Sequence, residues 1–412
     1  GHRLELSAQE YRDDAVRPYR ANVGSLTNRP TQTTRNYELN SKNYVLNYSL
    51  TNPTDLIDPV ITIGFSEAEV NVPEPFGSEG RTGGWSGKIE NDFRFADVNV
   101  LTAGADFYHN WAKYEDPSTA ELEEKATNYG LYAQFRTRPV DMLSISAGVR
   151  GDYQEFEGVG GEEFNNSGLS GNISAEVFAT DYLSFNAGYS NVWGGIDLQE
   201  TYIFNPAWNY DGIEPVRSNS YTAGLKLAHG GFFADAGVFR TEIDKAREAT
   251  YGGGPFIPFD FSSEGFTLGA GYNWGAGFVR VSYIDADVEI DGVAGDSDTL
   301  QYFGVPLGRI INLEATHYIE QLELKVGGNV EVALENDDSV SQGYQPLEAY
   351  EVVNLFAEYS PEFAEFLTLR LEANNLLDED YADRTTYGQE FSNVAPMSEP
   401  GRSFMLYAKA KF

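Results

Sequence analysis

The stretch LTLRLEANNLLDEDY, Leu367 to Tyr381, sets the terms for the whole chain. Leu367, Leu369, Leu371 and Ala373 fall on one face of an extended strand, and Thr368, Arg370, Glu372 and Asn374 fall on the other. One side is apolar and the other polar, and the alternation then stops at Asn-Asn, Leu-Leu and acid.

The same pattern recurs along the chain. In QLELKVGGNVEVAL the apolar set is Leu322, Leu324, Val326, Val330, Val332 and Leu334; in MLSISAGVRGDY it is Leu143, Ile145, Ala147 and Val149; in SFMLYAKAKF it is Phe404, Leu406, Ala408, Ala410 and Phe412. Strands of a soluble sandwich average about 5 or 6 residues, whereas these reach the roughly 10 that a tilted strand needs to cross a bilayer. Within hydrocarbon every backbone group must be paired, so such strands close into a barrel. The reading is all-β: a transmembrane antiparallel up-and-down barrel with about 18 strands visible.

Connections agree with it. Short turns at Ala96-Asp97, Arg138-Pro139-Val140, Thr180-Asp181, His229-Gly230 and Gly275-Ala276 alternate with long segments at 9–35, 191–216, 242–262, 291–308 and 377–401. Short periplasmic turns and long outer loops are the expected asymmetry. At Val279-Val281-Tyr283 the apolar phase changes to Ile284-Ala286-Val288-Ile290, which predicts a β-bulge near Tyr283-Ile284.

Composition removes other classes. The formal charge of -35, from 63 acids against 28 bases, argues against nucleic acid, which requires clustered Lys and Arg. No apolar run approaches the roughly 20 residues of a membrane-spanning helix. With no cysteine there is no thiol catalysis and no Cys-ligated zinc. No G-x-S-x-G, H-E-x-x-H or phosphate loop is present, so the chain is read as a non-enzyme.

Acid gathers in runs such as EDPSTAELEE, DGVAGDSD and ENDDS. A hydrated outer surface accounts for it. The other reading is calcium at Asp287, Glu289, Asp291, Gly292 and Asp298, near EF-hand spacing, although Glu stands at the third position and Gly295 at the ninth. Beyond that no cofactor is expected. Of the four histidines, His229 and His317 belong to the periplasmic rim, and His109, atop a strand, is the one placed near an outer site. Arg150, Lys226, Arg280, Lys325 and Arg370 fall on predicted lumen faces. They pair with neighbouring acids such as Asp152 or Glu372, or they guide anionic solutes.

The end of the quoted stretch resembles the penultimate-strand signature of TonB-dependent outer-membrane receptors, with Asn374, Asn375, Leu376, Leu377, Asp378 and Tyr381 matching in place. PGRSFMLYAKAKF, ending in Phe412, is similar to that family's last strand, and the likeness extends over residues 1–412. The resemblance implies a barrel of about 22 strands, of which this chain supplies the C-terminal part without the plug domain and about four strands. It also implies a Gram-negative outer membrane, with lipid and lipopolysaccharide around the barrel. The implied activity is import of an iron chelate, ferric siderophore or haem, with energy from TonB. The alternative is a porin-like channel that conducts passively.

Ligand choice is expected to rest on the segment from Asn191 to Asn219, with Trp193, Tyr202, Phe204, Trp208 and Tyr210 as a stacking surface or as loop packing. Haem receptors of the family carry F-R-A-P and N-P-[ND]-L motifs, often with a His between. Asn191-Val192-Trp193-Gly194 and Asn205-Pro206-Ala207-Trp208 stand here without that His, leaving Tyr202 or Tyr210 as the iron ligand in such a scheme.

Overall fold

The computed structural model describes residues 1–18, 34–74, 77–96, 98–198, 204–247, 253–295, 304–385 and 398–411. Phe412 and Tyr202 lie outside them. The strands run in chain order as β1 (His2–Pro18), β2 (Thr34–Leu50), β3 (Pro59–Val72), β4 (Ser78–Ala96), β5 (Asn99–Asp116), β6 (Thr119–Val140) and β7 (Leu143–Glu157). They continue as β8 (Glu163–Thr180), β9 (Leu183–Gly195), β10 (Trp208–Asn209), β11 (Val216–His229), β12 (Phe232–Arg247), β13 (Gly254–Pro255) and β14 (Pro258–Asn273). The last are β15 (Gly277–Ile290), β16 (Val293–Ala294), β17 (Gly308–Ile319), β18 (Leu324–Ala333), β19 (Tyr350–Tyr359), β20 (Leu367–Asn374) and β21 (Ser403–Ala410).

Nineteen of these form one sheet, antiparallel throughout, in which each long strand bonds to its neighbours in the chain. Without the two-residue β16 the long strands number 18. This is the up-and-down order of a transmembrane barrel. Among the described residues β1 pairs with β2 alone and β21 with β20 alone, so these two strands are the sheet's lateral edges.

Cross-strand register shows which face meets lipid. Leu131, Gly151 and Leu169 lie in one row across β6, β7 and β8, and Leu131 and Leu169 are 69% and 75% exposed. The adjacent row, Tyr132, Arg150 and Ser170, faces the other way. Aromatic rings border the apolar face at both heights. Tyr44, Phe65 and Trp85 stack toward the long-loop end, with centroids 6.1 and 4.8 Å apart. Tyr182 with His229 and Trp274 with His317 do so at the short-turn end, at 5.1 and 6.0 Å. Such girdles mark the two interfaces of a bilayer.

Three local expectations change. The strands outrun the bilayer: β6 has 22 residues, about twice what a crossing needs. The segments read as starting at Gln9 and Glu242 are therefore strand as far as Pro18 and Arg247.

The register of β15 runs unbroken from Phe278 to Ile290 against β14, so no bulge forms at Tyr283-Ile284. The apolar phase switches because the wall itself changes surroundings. Above the membrane the outward face carries Asp285, Asp287 and Glu289, while Val288 and Ile290 turn inward onto Ala246, Phe259 and Phe261.

The EF-hand-like spacing is likewise strand and tight turn. Asp291 and Gly292, with φ of 52° and 74°, make the two-residue turn into β16, and the Asp291 carboxylate accepts the Asp260 N–H at 2.9 Å. Asp298 lies outside the described residues.

Candidate functional site

At the long-loop end the connection leaving β9 folds into the mouth of the lumen. Its entry is fixed by Gly195, whose φ of +77° and close approach to Gln154 exclude a side chain: a Cβ would sit 2.5 Å from the Gln154 Oε1. Gln154 is fully buried and holds the next residue at both ends. Its Oε1 accepts the Ile196 N–H at 2.7 Å, and its Nε2 donates to the Ile196 carbonyl at 3.2 Å.

Beyond the turn, Phe204, Trp208 and Tyr210 pack with Phe156, Ile196 and Phe256 into a buried cluster. β10 and β13 pair in parallel within it and join the β9–β11 connection to the β12–β14 connection. A charged group lies in the same cluster. Arg247 donates two bonds to Glu124, at 3.1 and 2.8 Å, with 7% and 0% of the two side chains exposed. The Tyr210 hydroxyl donates to Glu124 at 2.6 Å and accepts the Val159 N–H at 3.1 Å. The Arg247 guanidinium lies 4.9 Å from the Phe256 ring centre and 5.5 Å from that of Phe156. Burial, then the charge of Glu124, pushes the Tyr210 phenol up, so it remains a protonated donor.

This placement decides between the two readings of the segment. Phe204, Trp208 and Tyr210 are between 1% and 4% exposed, so they are packing rather than an open stacking surface. Tyr210, with both hydrogen-bonding roles of its oxygen taken, is not free to ligate iron. Trp193 differs, lying flat over Gly168, where a Cβ would come within 2.1 Å of its ring. It borders a lumen cavity of about 440 Å³ together with Arg150, Asp106, Tyr132, Asn172 and Asp152. A second cavity of about 510 Å³ lies against Ile196, Asp197 and Leu198, and Tyr108 borders both.

The three arginines among the predicted bases of the polar face are engaged by acids. Arg150 makes a two-pronged pair with Asp106 at 2.6 and 2.8 Å and also bonds Asp152 at 2.9 Å. Arg280 bonds Asp235 at 2.8 Å, and Arg370 bonds Glu372 at 2.6 Å with its guanidinium 4.0 Å from the Phe356 ring centre. Lys325 lies 5.9 Å from the same ring centre, and Lys226 is exposed. His109 shares its row with Trp85, which is 50% exposed, and its Nδ1 meets Thr127 Oγ1 at 2.7 Å. It belongs to the outer wall, because its strand parity, which the sequence did not resolve at that height, turns it away from the lumen.

The signature after β20 is a staple for the last long connection. Asn375 and Asp378 take positive φ, 48° and 63°, which Asn and Asp tolerate best among residues with a side chain. Buried Asn375 accepts the Glu379 N–H at 2.8 Å and donates to the Glu379 and Pro400 carbonyls at 2.8 and 3.3 Å. Asp378 accepts the Arg402 N–H at 2.8 Å and pairs with its side chain at 3.3 Å, contacts that hold its carboxyl below the usual range. Leu376 N–H bonds the Val353 carbonyl at 2.8 Å, and Tyr381 stacks on Tyr350 at 4.6 Å. Leu377 is exposed and Asn374 closes β20.

Comparison with known proteins agrees with this geometry. Residues 3–376 match the family described as TonB dependent receptor-like, beta-barrel. The heme transporter BhuA of Brucella ovis is 27% identical over 442 residues, covering 100% of this chain and 64% of its own length, and so this chain spans less than two thirds of that curated relative. Among solved structures, the FrpB iron transporter from Neisseria meningitidis superposes with a TM-score of 0.84 at 16% identity, covering 100% of this chain and 70% of its own. The pyoverdine outer-membrane receptor FpvA from Pseudomonas aeruginosa PAO1 gives 0.68 at 14% identity, with coverage of 92% and 62%. The strand order, the staple after β20 and the family match lead to one assignment: the chain belongs to the TonB-dependent receptors and forms part of their β-barrel.

Proposed function

We propose that this chain is the wall and outer mouth of a receptor that binds an iron chelate, ferric siderophore or haem, and imports it across a Gram-negative outer membrane with energy from TonB. The family match carries the reading, and the inward-folded connections above a polar lumen support it. The edges β1 and β21, each paired on one side alone among the described residues, favour closure through further strands of the same receptor, with a plug as the element that TonB reaches. Lipid surrounds the apolar belt, and lipopolysaccharide meets the projecting strands above the Tyr44-Phe65-Trp85 girdle.

The relatives named for heme and iron transport support this ligand class, and the site leaves both members of it open to test. Trp193, though largely buried, borders the lumen cavity beside Tyr108 and Tyr132, whereas Phe204, Trp208 and Tyr210 shape the mouth from beneath. The reading is transport rather than catalysis.

The test is growth and uptake in a receptor-deleted strain carrying the full-length gene. Supply of haem or of a ⁵⁵Fe-labelled siderophore should restore iron only while TonB is intact. Uptake that persists without TonB would overturn the reading in favour of a passive channel.

A further inference from the structure

The mouth is built as a fixed wall, and its fastening is specific. The segments 204–213 and 253–258 join as one body through β10 and β13, with the Gly254 N–H bonded to the Ala207 carbonyl at 2.8 Å. Three strands hold that body: β6 through the Glu124 bond to Tyr210, β7 through Phe156 against Tyr210, and β12 through Arg247 against Phe256, while Gln154 fixes the neighbouring Ile196. Trp208 and Tyr210 lock onto Phe256, with ring centres 5.3 and 5.1 Å apart. A connection meant to swing freely would not be tied to a buried ion pair: opening it breaks the Tyr210–Glu124 hydrogen bond and unpacks Phe256 from the Arg247 guanidinium.

We propose that Glu124, Arg247 and Gln154 are positioning residues that keep this body pinned as a preformed side of the ligand entrance, so that the chelate docks on a standing surface instead of drawing a loop over itself. The inference rests on the transport reading for its ligand, but the pinning can be measured without one. The root of the pinned connection, Trp193 to Leu198, lines both lumen cavities, so displacing it reshapes the space on either side of Tyr108.

The experiment uses the full-length receptor in outer-membrane vesicles with a single reporter cysteine, this region having no thiol of its own. Phe204→Cys and Ile196→Cys serve as independent reporters, at 4% and 2% native exposure. Maleimide labelling should be slow in the otherwise unmodified receptor and unchanged by saturating haem or ferric catecholate. It should rise at least tenfold with Glu124→Ala or Arg247→Met, and less with Tyr210→Phe. Whichever of the two probes binds should then need at least tenfold more for half-saturation in the unpinned variants. Heat-modifiable migration of the barrel confirms that each variant has folded, and Tyr210→Phe carries the test if the charge variants do not.

Fast labelling of the unmodified background, or labelling that changes on ligand addition, overturns the proposal. So does an unpinned variant that binds as tightly as before. If neither haem nor ferric catecholate binds the unmodified receptor, the transport reading fails, while the labelling rates still decide whether the wall is pinned.

Discussion

Arg247, at the end of β12, and Glu124, near the top of β6, are 123 residues apart in sequence and share a two-pronged ion pair inside an aromatic cluster. Neither charge has an aqueous alternative in this fold. Removing one leaves the other buried without its counter-charge, a loss of about 3–5 kcal/mol, while removing both replaces a costly desolvation with neutral packing. Arg247→Met should therefore open the 204–213 segment far more than Glu124→Gln/Arg247→Met does. Hydrogen exchange of that segment's amides measures it. Equal exchange in the single and double variants would show that the pair is incidental.

Asn375 combines a left-handed backbone with bonds to both ends of the last connection. Asn375→Ala loses the bonds and strains the turn, whereas Asn375→Gly keeps the turn and loses only the bonds. Buried partners left unpaired cost about 1–3 kcal/mol, so Ala should be the worse variant and Gly intermediate. Trypsin cleavage after Arg384, whose side chain is 1% exposed in the native protein, reports the release. Cleavage rates identical to the unsubstituted protein would mean that the connection is held elsewhere.

Much of this architecture is written in period-two alternation. The 18 long strands, the turns at Thr180-Asp181 and His229-Gly230, and the lumen-side parity of Arg150 and Arg370 all follow from it. Alternation fails where a strand leaves the bilayer, because both faces then take their polarity from local packing. That is why Ile284 to Ile290 read as a slipped register. The mouth was hidden for a different reason. A string of aromatics between Trp193 and Tyr210 looks the same whether it is exposed or folded inward. What decides it is Glu124, Gln154 and Arg247 on distant strands, which no local pattern connects. The staple is legible as a signature, but its physics, two positive-φ residues whose side chains bond the backbone, depends on the folded path of the last connection.

Acid should weaken that staple in a defined window. The folded-state pKa of Asp378 is lowered by the Arg402 N–H and then its guanidinium. A depressed carboxylate contributes fully above its ordinary value of 3.8 and loses that contribution as pH falls through the lower folded value. Protection of the Arg402 amide should accordingly hold at pH 5 to 7 and decline only below about 4. Asp378→Asn should make protection independent of pH over that range. Loss of protection near neutrality would point to a different group.

The assignment of faces makes the sharpest forecast for Leu131 and Gln134, three residues apart on one strand. Leu131 lies outward, between the Trp85 row above and the turn at Val140 below, at a depth near the middle of the hydrocarbon. An arginine there must desolvate its charge or drag water inward, at about 2–4 kcal/mol near the midplane. Gln134 faces the lumen, bonding Ser146 at 2.6 Å and Asn172 at 3.2 Å, where a cation stays hydrated. Folding titrations of the receptor into phospholipid vesicles should show Leu131→Arg destabilised by that amount, with Gln134→Arg losing little more than the hydrogen bonds to Ser146 and Asn172. If the two variants lose stability equally, the outward row does not meet lipid. A larger loss for Gln134→Arg would place lipid on the face taken here as lumen.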